Sequence, residues 1–510
     1  MVYLEKLGLV SVIVVERDDW EKESEHERSA VVEETMRVVK ALEAHGARAR
    51  PILSPVVRLG PRPSPEEEEE AAVAAAGQDF QNARDAPTEA HALPSDLGAL
   101  RSALRAGEIP VLPPLALDSF CRSVRVDSDD VLAALARGMS EAGALDFPAN
   151  AEHSATSEEF DLTPLRLMII NREGGVPSYA RSGLPHLMIN LSSEVDHIHD
   201  TFLPQWNDTH PTALSNLRLA QTCLNYMPRS SSAVIVSHRS PRSLIANLIT
   251  NKPAYSSSLP HALLSGPKSV TQHTPTLIRH GLPFRVIRDA SEIDQDRMTA
   301  LLEQSFGQKL EADAFYDRLN RSLDFAIVAG DYTGAAIVTK EQLRDSSHSP
   351  NQPPDGSPST PFITYLDKFA VLPSHQGDGT VDFLWGALQD ESYGLGLASA
   401  LNPNVGGKHG RGVGRDLVWR SRANNPVNKW YYERSSGHLR LGQWVLFWCD
   451  AEERLARREQ EKRMGGGLEV WKGRKRGVEG LSFVEEGDRG RLERWSKVID
   501  EIKSSWKPRI

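Results

Sequence analysis

The chain has 510 residues, 40% of them hydrophobic and 25% charged, and a formal net charge of −10. That length exceeds one compact domain, the composition fits ordinary globular protein, and the acidic balance argues against a whole-chain nucleic-acid binder. No run approaches the roughly 18 apolar residues of a membrane span, and three scattered cysteines, Cys121, Cys223 and Cys449, form neither a disulfide framework nor a zinc spacing.

Met1 to Gly8 reads as a helix end with a glycine cap running into an apolar strand at 9–15. No transit peptide is visible there, and the chain reads as starting inside a domain. Up to residue 275, strand-like runs at 9–15, 109–112, 167–170, 187–191 and 233–236 alternate with helical stretches such as 31–44, the pattern of an α/β domain. Segment 61–95 opens on prolines and the acidic run 66–70, and reads as a solvated insertion. Asp196-His197-Ile198-His199-Asp200 has ligand-type side chains but no third set at metal spacing, so a polar loop without metal is expected. Residues 251–281, with scattered Pro, Ser and Gly, read as the interdomain connection.

An ordered series follows. A strand is expected at 284–287, then a helix with Met298, Leu301 and Leu302 on one face, then a hairpin from 325–329 and 335–338 about Gly330 and Gly334. After a polar loop at 341–360, the strand at 362–372 is apolar on both faces and so central in its sheet. Val381, Leu384, Trp385 and Leu388 mark a helix face, and 444–449 another strand. Residues 451–510 are charged, with a helix near 492–506 and no legible chemistry.

Chemistry concentrates between Tyr365 and Thr380, where the central strand meets a loop holding Gly377 and Gly379 and then a helix start. Glycine lets the backbone approach a phosphate, and unpaired amides with the helix dipole favour negative charge. Taken alone, such a loop is equally a tight turn into a helix. Residues 401–440 add eight Lys or Arg against Asp416 and Glu433, a surface suited to an anion; Gly406-Gly407-Lys408 within it lacks the P-loop spacing. Arg420 and Arg422 follow the apolar run Leu417-Val418-Trp419, where a sheet delivers side chains to a cleft; the alternative is two surface arginines at a strand end.

Gln376-Gly377-Asp378-Gly379 resembles the Q/R-x-x-G-x-G/A pyrophosphate loop of the GNAT acetyltransferases, except that Val381 stands where a small residue is usual. Tyr365-Leu366-Asp367-Lys368-Phe369 and Val418-Trp419-Arg420-Ser421-Arg422, continuing through Asn425 to Tyr431, resemble the acetyltransferase domain of fungal and animal N-acetylglutamate synthases. More loosely, the stretches 217–221 and 237–240 resemble the amino-acid-kinase-type domain that precedes it. The resemblance implies an α/β protein: an incomplete amino-acid-kinase-like three-layer sandwich at 1–275, truncated at its N-terminus, a GNAT domain with a mixed central sheet flanked by helices at 281–450, and a charged tail at 451–510. Residues 391–415 depart from the family as an insertion.

The implied activity is transfer of acetyl from acetyl-CoA to the α-amine of L-glutamate, the first step of arginine biosynthesis, without a metal. The resemblance places glutamate on Lys368, Arg420, Ser421, Arg422 and Asn425; this needs cationic donors because glutamate brings two carboxylates. Lys309 is a candidate third cation, with a solvated surface lysine as its alternative. The backbone at Phe369 and Val371 is assigned to the oxyanion and, with Gln376, Gly377, Asp378, Gly379 and Thr380, to acetyl-CoA. Tyr431 is the candidate acid for the departing thiolate, with Asn425 beside it; an aromatic packing role weighs as much for Tyr431. The turn and the cations are expected on one side of the sheet. Mitochondrial matrix location, a homo-oligomer, L-arginine as feedback inhibitor and acetylglutamate kinase as partner are implied by the resemblance alone; no nucleic acid or membrane is expected. The competing readings are an arginine-sensing regulatory subunit and an acetylglutamate-kinase-like enzyme.

Overall fold

The computed structural model describes residues 10–17, 27–61, 89–146, 161–240, 247, 249–259, 270–342, 362–389, 415–451 and 489–507. The expected loop at 341–360 beyond Gln342, the insertion at 391–415 up to Arg415 and most of the segments 61–95 and 451–510 lie outside them; Glu341 itself ends a strand. Contacts divide the chain into two compact units, Met1–Ile169 with Leu214–Val234 and Ile170–Ala213 with Ile235–Ile510. The division runs through two strands, Arg166–Asn171 and Ser232–Ser237.

In the first unit, Ile13–Val14 and Ala49–Pro51 flank Ile109–Leu112, both parallel to it. A second sheet is ordered Glu89–His91, Val57–Gly60, Leu115–Asp118, Ser123–Arg125. Helix Ser128–Asp146 buries Val131, Ala134 and Leu135 against Leu97, Leu100 and Leu112, the one-sided apolar spacing that makes it a helix.

The second unit holds strand β1 (Met188–Asn190), which runs parallel to β2 (Thr276–Arg279) and leads into helix α1 (Leu191–Thr201). The expectation of a polar loop at 196–200 is therefore corrected. The Asn190 side chain accepts from the Ser192 amide and caps a helix whose Leu191, Glu194 and Ile198 are buried. The two histidines are its polar face, and among the described residues no three metal-type side chains gather.

Seven further strands form one sheet: β3 (Phe284–Ile287), β4 (Leu323–Ala329), β5 (Gly334–Glu341), β6 (Ile363–Val371), β7 (Leu417–Arg422), β8 (Gly437–Leu441) and β9 (Trp444–Cys449), ordered β3-β4-β5-β6-β7-β9-β8. The β4–β5 hairpin turns through Gly330, at φ +54°, a conformation that glycine adopts without strain. All pairings are antiparallel except β6 with β7. Helix α2 (Gln295–Phe306), capped by Asp294 and ended by left-handed Gly307, packs on one face with α3 (Ala312–Ser322). Their Met298, Leu302, Phe315 and Leu319 meet Val328, Ile337 and Ala370. Helices α4 (Thr380–Gln389) and α5 (Asn428–Arg434) cover the other face, where Trp385, Trp419, Tyr431 and Phe447 pack together. Helix α6 (Arg489–Glu501) lays Leu492, Trp495, Val498 and Ile499 on Tyr365, Val418 and Trp448. It ends before the expected 506, and Trp506 forms an antiparallel bridge with Leu310.

Candidate active site

Parallel β6 and β7 touch at only two registers, Thr364 with Leu417 and Tyr365 with Val418. Beyond them the strands part, so the side of β6 that faces β7 from Leu366 to Val371 looks into a wedge. Aromatic rings line it: Phe369 meets Trp385 edge-on at 5.4 Å and stacks on Trp430 at 6.0 Å, and Trp385 lies 5.5 Å from Trp419. The buried indole N–H groups of Trp385 and Trp419 have no acceptor among the described residues. Each such orphaned donor costs about 1–3 kcal/mol unless something supplies an acceptor.

β6 carries a bulge. Ile337 pairs with Lys368 and Val338 with Leu366, which leaves Asp367 without an opposite number. An extra residue in a strand puts two successive side chains on one face. Asp367 and Lys368 thus both point towards α3. Lys368 Nζ donates to Asp367 Oδ2 at 2.8 Å and to Ser505 Oγ at 3.2 Å, and lies over the rings of Phe315 and Trp506 at 5.2 and 5.7 Å. Arg318 of α3 donates to Asp367 and, at 2.7 Å, to Glu341. Burial pushes the Lys368 ammonium below its ordinary pKa, with Asp367 opposing; burial would raise the Asp367 carboxyl, but Lys368 and Arg318 outweigh it and hold it low.

Arg420 leaves β7 on this same face. Its Nη1 and Nη2 donate to the carbonyls of Ile499 and Ile502 at 2.8 and 2.7 Å, at the C-terminal end of α6, where the Ile499 carbonyl also accepts from the Ile502 amide at 3.2 Å. The guanidinium also stacks 4.7 Å from the Trp444 ring. Arg422 is exposed, 5.9 Å from the same ring. Ser421 points to the opposite face and accepts from Asn425 Nδ2 at 2.9 Å. Asn425 Oδ1 accepts from the Val427 amide and so shapes the turn into α5. Tyr431 is buried among Trp385, Trp419, Trp430 and Phe447, and burial raises its phenol pKa. Lys309 lies apart, 78% exposed and paired with Glu303 at 2.6 Å.

The strand after the bulge runs into the glycine turn. Gln376 Nε2 folds back to the Val371 carbonyl at 3.2 Å. Asp378 Oδ1 accepts from the amide and hydroxyl of Thr380 at 3.0 and 2.6 Å, tying down the first turn of α4. Gly379 adopts φ +94°. Among the described residues, the amides of Gly377, Asp378 and Gly379 find no acceptor. These donors before a helix of ten residues make a place for an anion, and they fit the diphosphate of a nucleotide cofactor.

The expectation that turn and cations share one side of the sheet is corrected. Strand alternation and the bulge send Lys368 and Arg420 to the α2–α3–α6 face, whereas the turn feeds α4 on the other. The parting of β6 from β7 lies between them. Three features escaped the sequence reading: the Arg318–Asp367–Lys368 chain, the contacts of Ser505, Ile499 and Ile502 with the two cations, and Arg434. Arg434 is buried, 4.0 Å over Trp430, donates to Ser258 and Ser256, and sits 3.5 Å from Asp382 of α4, itself held by both serines. Partners 124 to 178 residues apart leave no local signal.

A sequence profile described as "NAT, N-acetyltransferase, of N-acetylglutamate synthase" matches residues 285–396 and 411–460. The chain is similar to the mitochondrial amino-acid acetyltransferase of Coprinopsis cinerea, at 60% identity over 99% of this chain and 76% of that protein. The corresponding protein of Laccaria bicolor is 59% identical over 99% and 81%. Among solved structures, N-acetylglutamate synthase from Neisseria gonorrhoeae, complexed with coenzyme A and N-acetyl-glutamate, aligns over 91% of this chain and 87% of that one. Its 14% identity and TM-score of 0.43 are too low for residue-by-residue equivalence.

Proposed function

The chain belongs to the family of the mitochondrial amino-acid acetyltransferases, and from that premise we propose that it transfers the acetyl group of acetyl-CoA to the α-amine of L-glutamate, serving arginine biosynthesis in the mitochondrial matrix. The observation that carries this is the parting of β6 from β7 beyond Tyr365 and Val418. In this reading it would let an acetyl donor held on the unpaired amides meet an amine held by Lys368 and Arg420 on the face beyond.

In this reading the Gly377, Asp378 and Gly379 amides hold the diphosphate, and the thioester lies in the wedge. The neutral amine attacks the acetyl carbonyl, gaining chiefly from positioning. The N–C bond forms, the amine proton leaves to water, and backbone amides at Phe369 to Val371 stabilise the oxyanion. The C–S bond then breaks, and Tyr431 gives its proton to the thiolate; a phenol whose pKa is raised by burial remains protonated and able to donate. Lys368 and Arg420 hold the substrate carboxylates in exchange for the Ser505 hydroxyl and the α6 carbonyls, since a charged acceptor makes the stronger bond. Ser421, Arg422 and Asn425 shape the strand end beside them, and Lys309 is left as a surface residue. L-Arginine as inhibitor and a kinase partner extend the same family reading.

The test is thiol release with acetyl-CoA and a panel of amino acids. Glutamate-dependent release supports the proposal. ATP-dependent turnover of acetylglutamate supports a kinase instead, and silence in both supports a regulatory subunit.

A further inference from the structure

Arg279 ends β2, a strand outside the seven-stranded sheet and within the stretch whose sequence reads as connection. It is 7% exposed, an unusual place for a guanidinium without a specific task. Its Nη1 donates to the Gly377 carbonyl at 3.3 Å, and its Nη2 to the Asn251 carbonyl at 2.7 Å. Its stem continues to the second glycine of the same turn: a Cβ built on Gly379 would lie 3.4 Å from Arg279 Cδ. The side chain therefore holds the carbonyl of the turn's first glycine and lies beside its second.

We propose that Arg279 is a positioning residue for the cofactor's diphosphate, acting through the turn; this rests on the reading of the turn as the acetyl-CoA cradle. The link is peptide planarity. In a trans peptide the carbonyl and the next amide point opposite ways. Holding the Gly377 carbonyl down onto the guanidinium turns the Asp378 N–H up to the mouth of the turn. Gly377 faces open space there, with nothing within 4 Å of where a Cβ would stand.

The experiment compares Arg279→Met with the unmodified full chain, using acetyl-CoA and acetyl-pantetheine, a donor without the nucleotide and its diphosphate. The expected result is a loss of about tenfold in kcat/KM for acetyl-CoA, the scale of one hydrogen bond to a charged group. For acetyl-pantetheine the value stays within twofold, and so does the amino-acid KM at saturating acetyl-CoA. An equal loss with both donors, or no loss with acetyl-CoA, overturns the inference. Gly379→Ala separates this from the cradle itself. A rise in acetyl-CoA KM for Gly379→Ala, with none for Arg279→Met, removes only the role of Arg279. No rise for Gly379→Ala removes the cradle.

Discussion

The two ends of β6 handle charge by different means. At its C-terminal end the proposed anion site is main chain, the amides of Gly377 to Gly379, and depends on glycine conformation. At its middle the charged site is built from side chains, Lys368 with Asp367 and Arg318, brought together by a single bulged residue. A backbone site is exposed, tolerant of side-chain change and intolerant of a Cβ. A buried ion chain is the reverse: each member leaves another unpaired when it is removed.

That contrast can be broken most decisively at Asp367. Its side chain is 3% exposed and accepts from two cations, so Asp367→Asn is expected to cost about 3–5 kcal/mol of stability in denaturant titration. A change within 0.5 kcal/mol, roughly the scale of a surface substitution, sets the ion chain aside as a source of stability. The sign of the pH dependence follows from its depressed pKa: this stability is present above the unfolded carboxyl pKa and lost as pH falls through the folded value.

Next in size is the turn. Gly379→Ala forces a side chain onto φ +94°, with Phe383, Arg279 and Met188 within 3.5 Å. We expect a rise of about tenfold in acetyl-CoA KM, from roughly 1–3 kcal/mol of strain, while the amino-acid KM holds. If both KM values move together, the two ends of β6 are one site rather than two.

A subtler effect concerns Lys368, faced by Asp367 on its own strand, Arg318 from α3 and Arg420 from β7. Its burial-lowered pKa means that the ammonium is lost as pH rises through a value below the ordinary 10.5. Binding of N-acetylglutamate, which has no amine of its own to titrate, should weaken over that range by calorimetry. Unchanged affinity up to pH 10.5 would remove Lys368 from the carboxylate site. Smallest of all is Lys309→Ala. At 78% exposure with one surface partner, it should leave the amino-acid KM within about twofold, as expected of an exposed ion pair; a larger rise would restore it as a third cation.

Much of this was legible beforehand. Strands at 109–112, 284–287 and 444–449, the β4–β5 hairpin and the helix after Gly379 follow from apolar period and glycine punctuation, which are local properties. The 196–200 helix was misread because Asp and His look like loop residues, whereas its cap, Asn190, and its buried Leu191 and Glu194 lie before that window. The chemistry assigned to 451–510 was none; yet Ile499, Ile502 and Ser505 hold the two principal cations, across 79 to 137 residues of chain.

Sequence alone determined that a central strand enters a glycine turn and then a helix, because adjacent residues carry all the information a backbone turn needs. Only the tertiary structure decided which face Lys368 takes, since one unpaired residue at Asp367 reverses strand alternation, and a bulge arises from how β6 lies on β5. It likewise decided that Arg279 underlies the turn and that Arg420 meets the end of α6. Such contacts join residues with no periodic relation, and nothing short of the folded chain brings them within hydrogen-bond range.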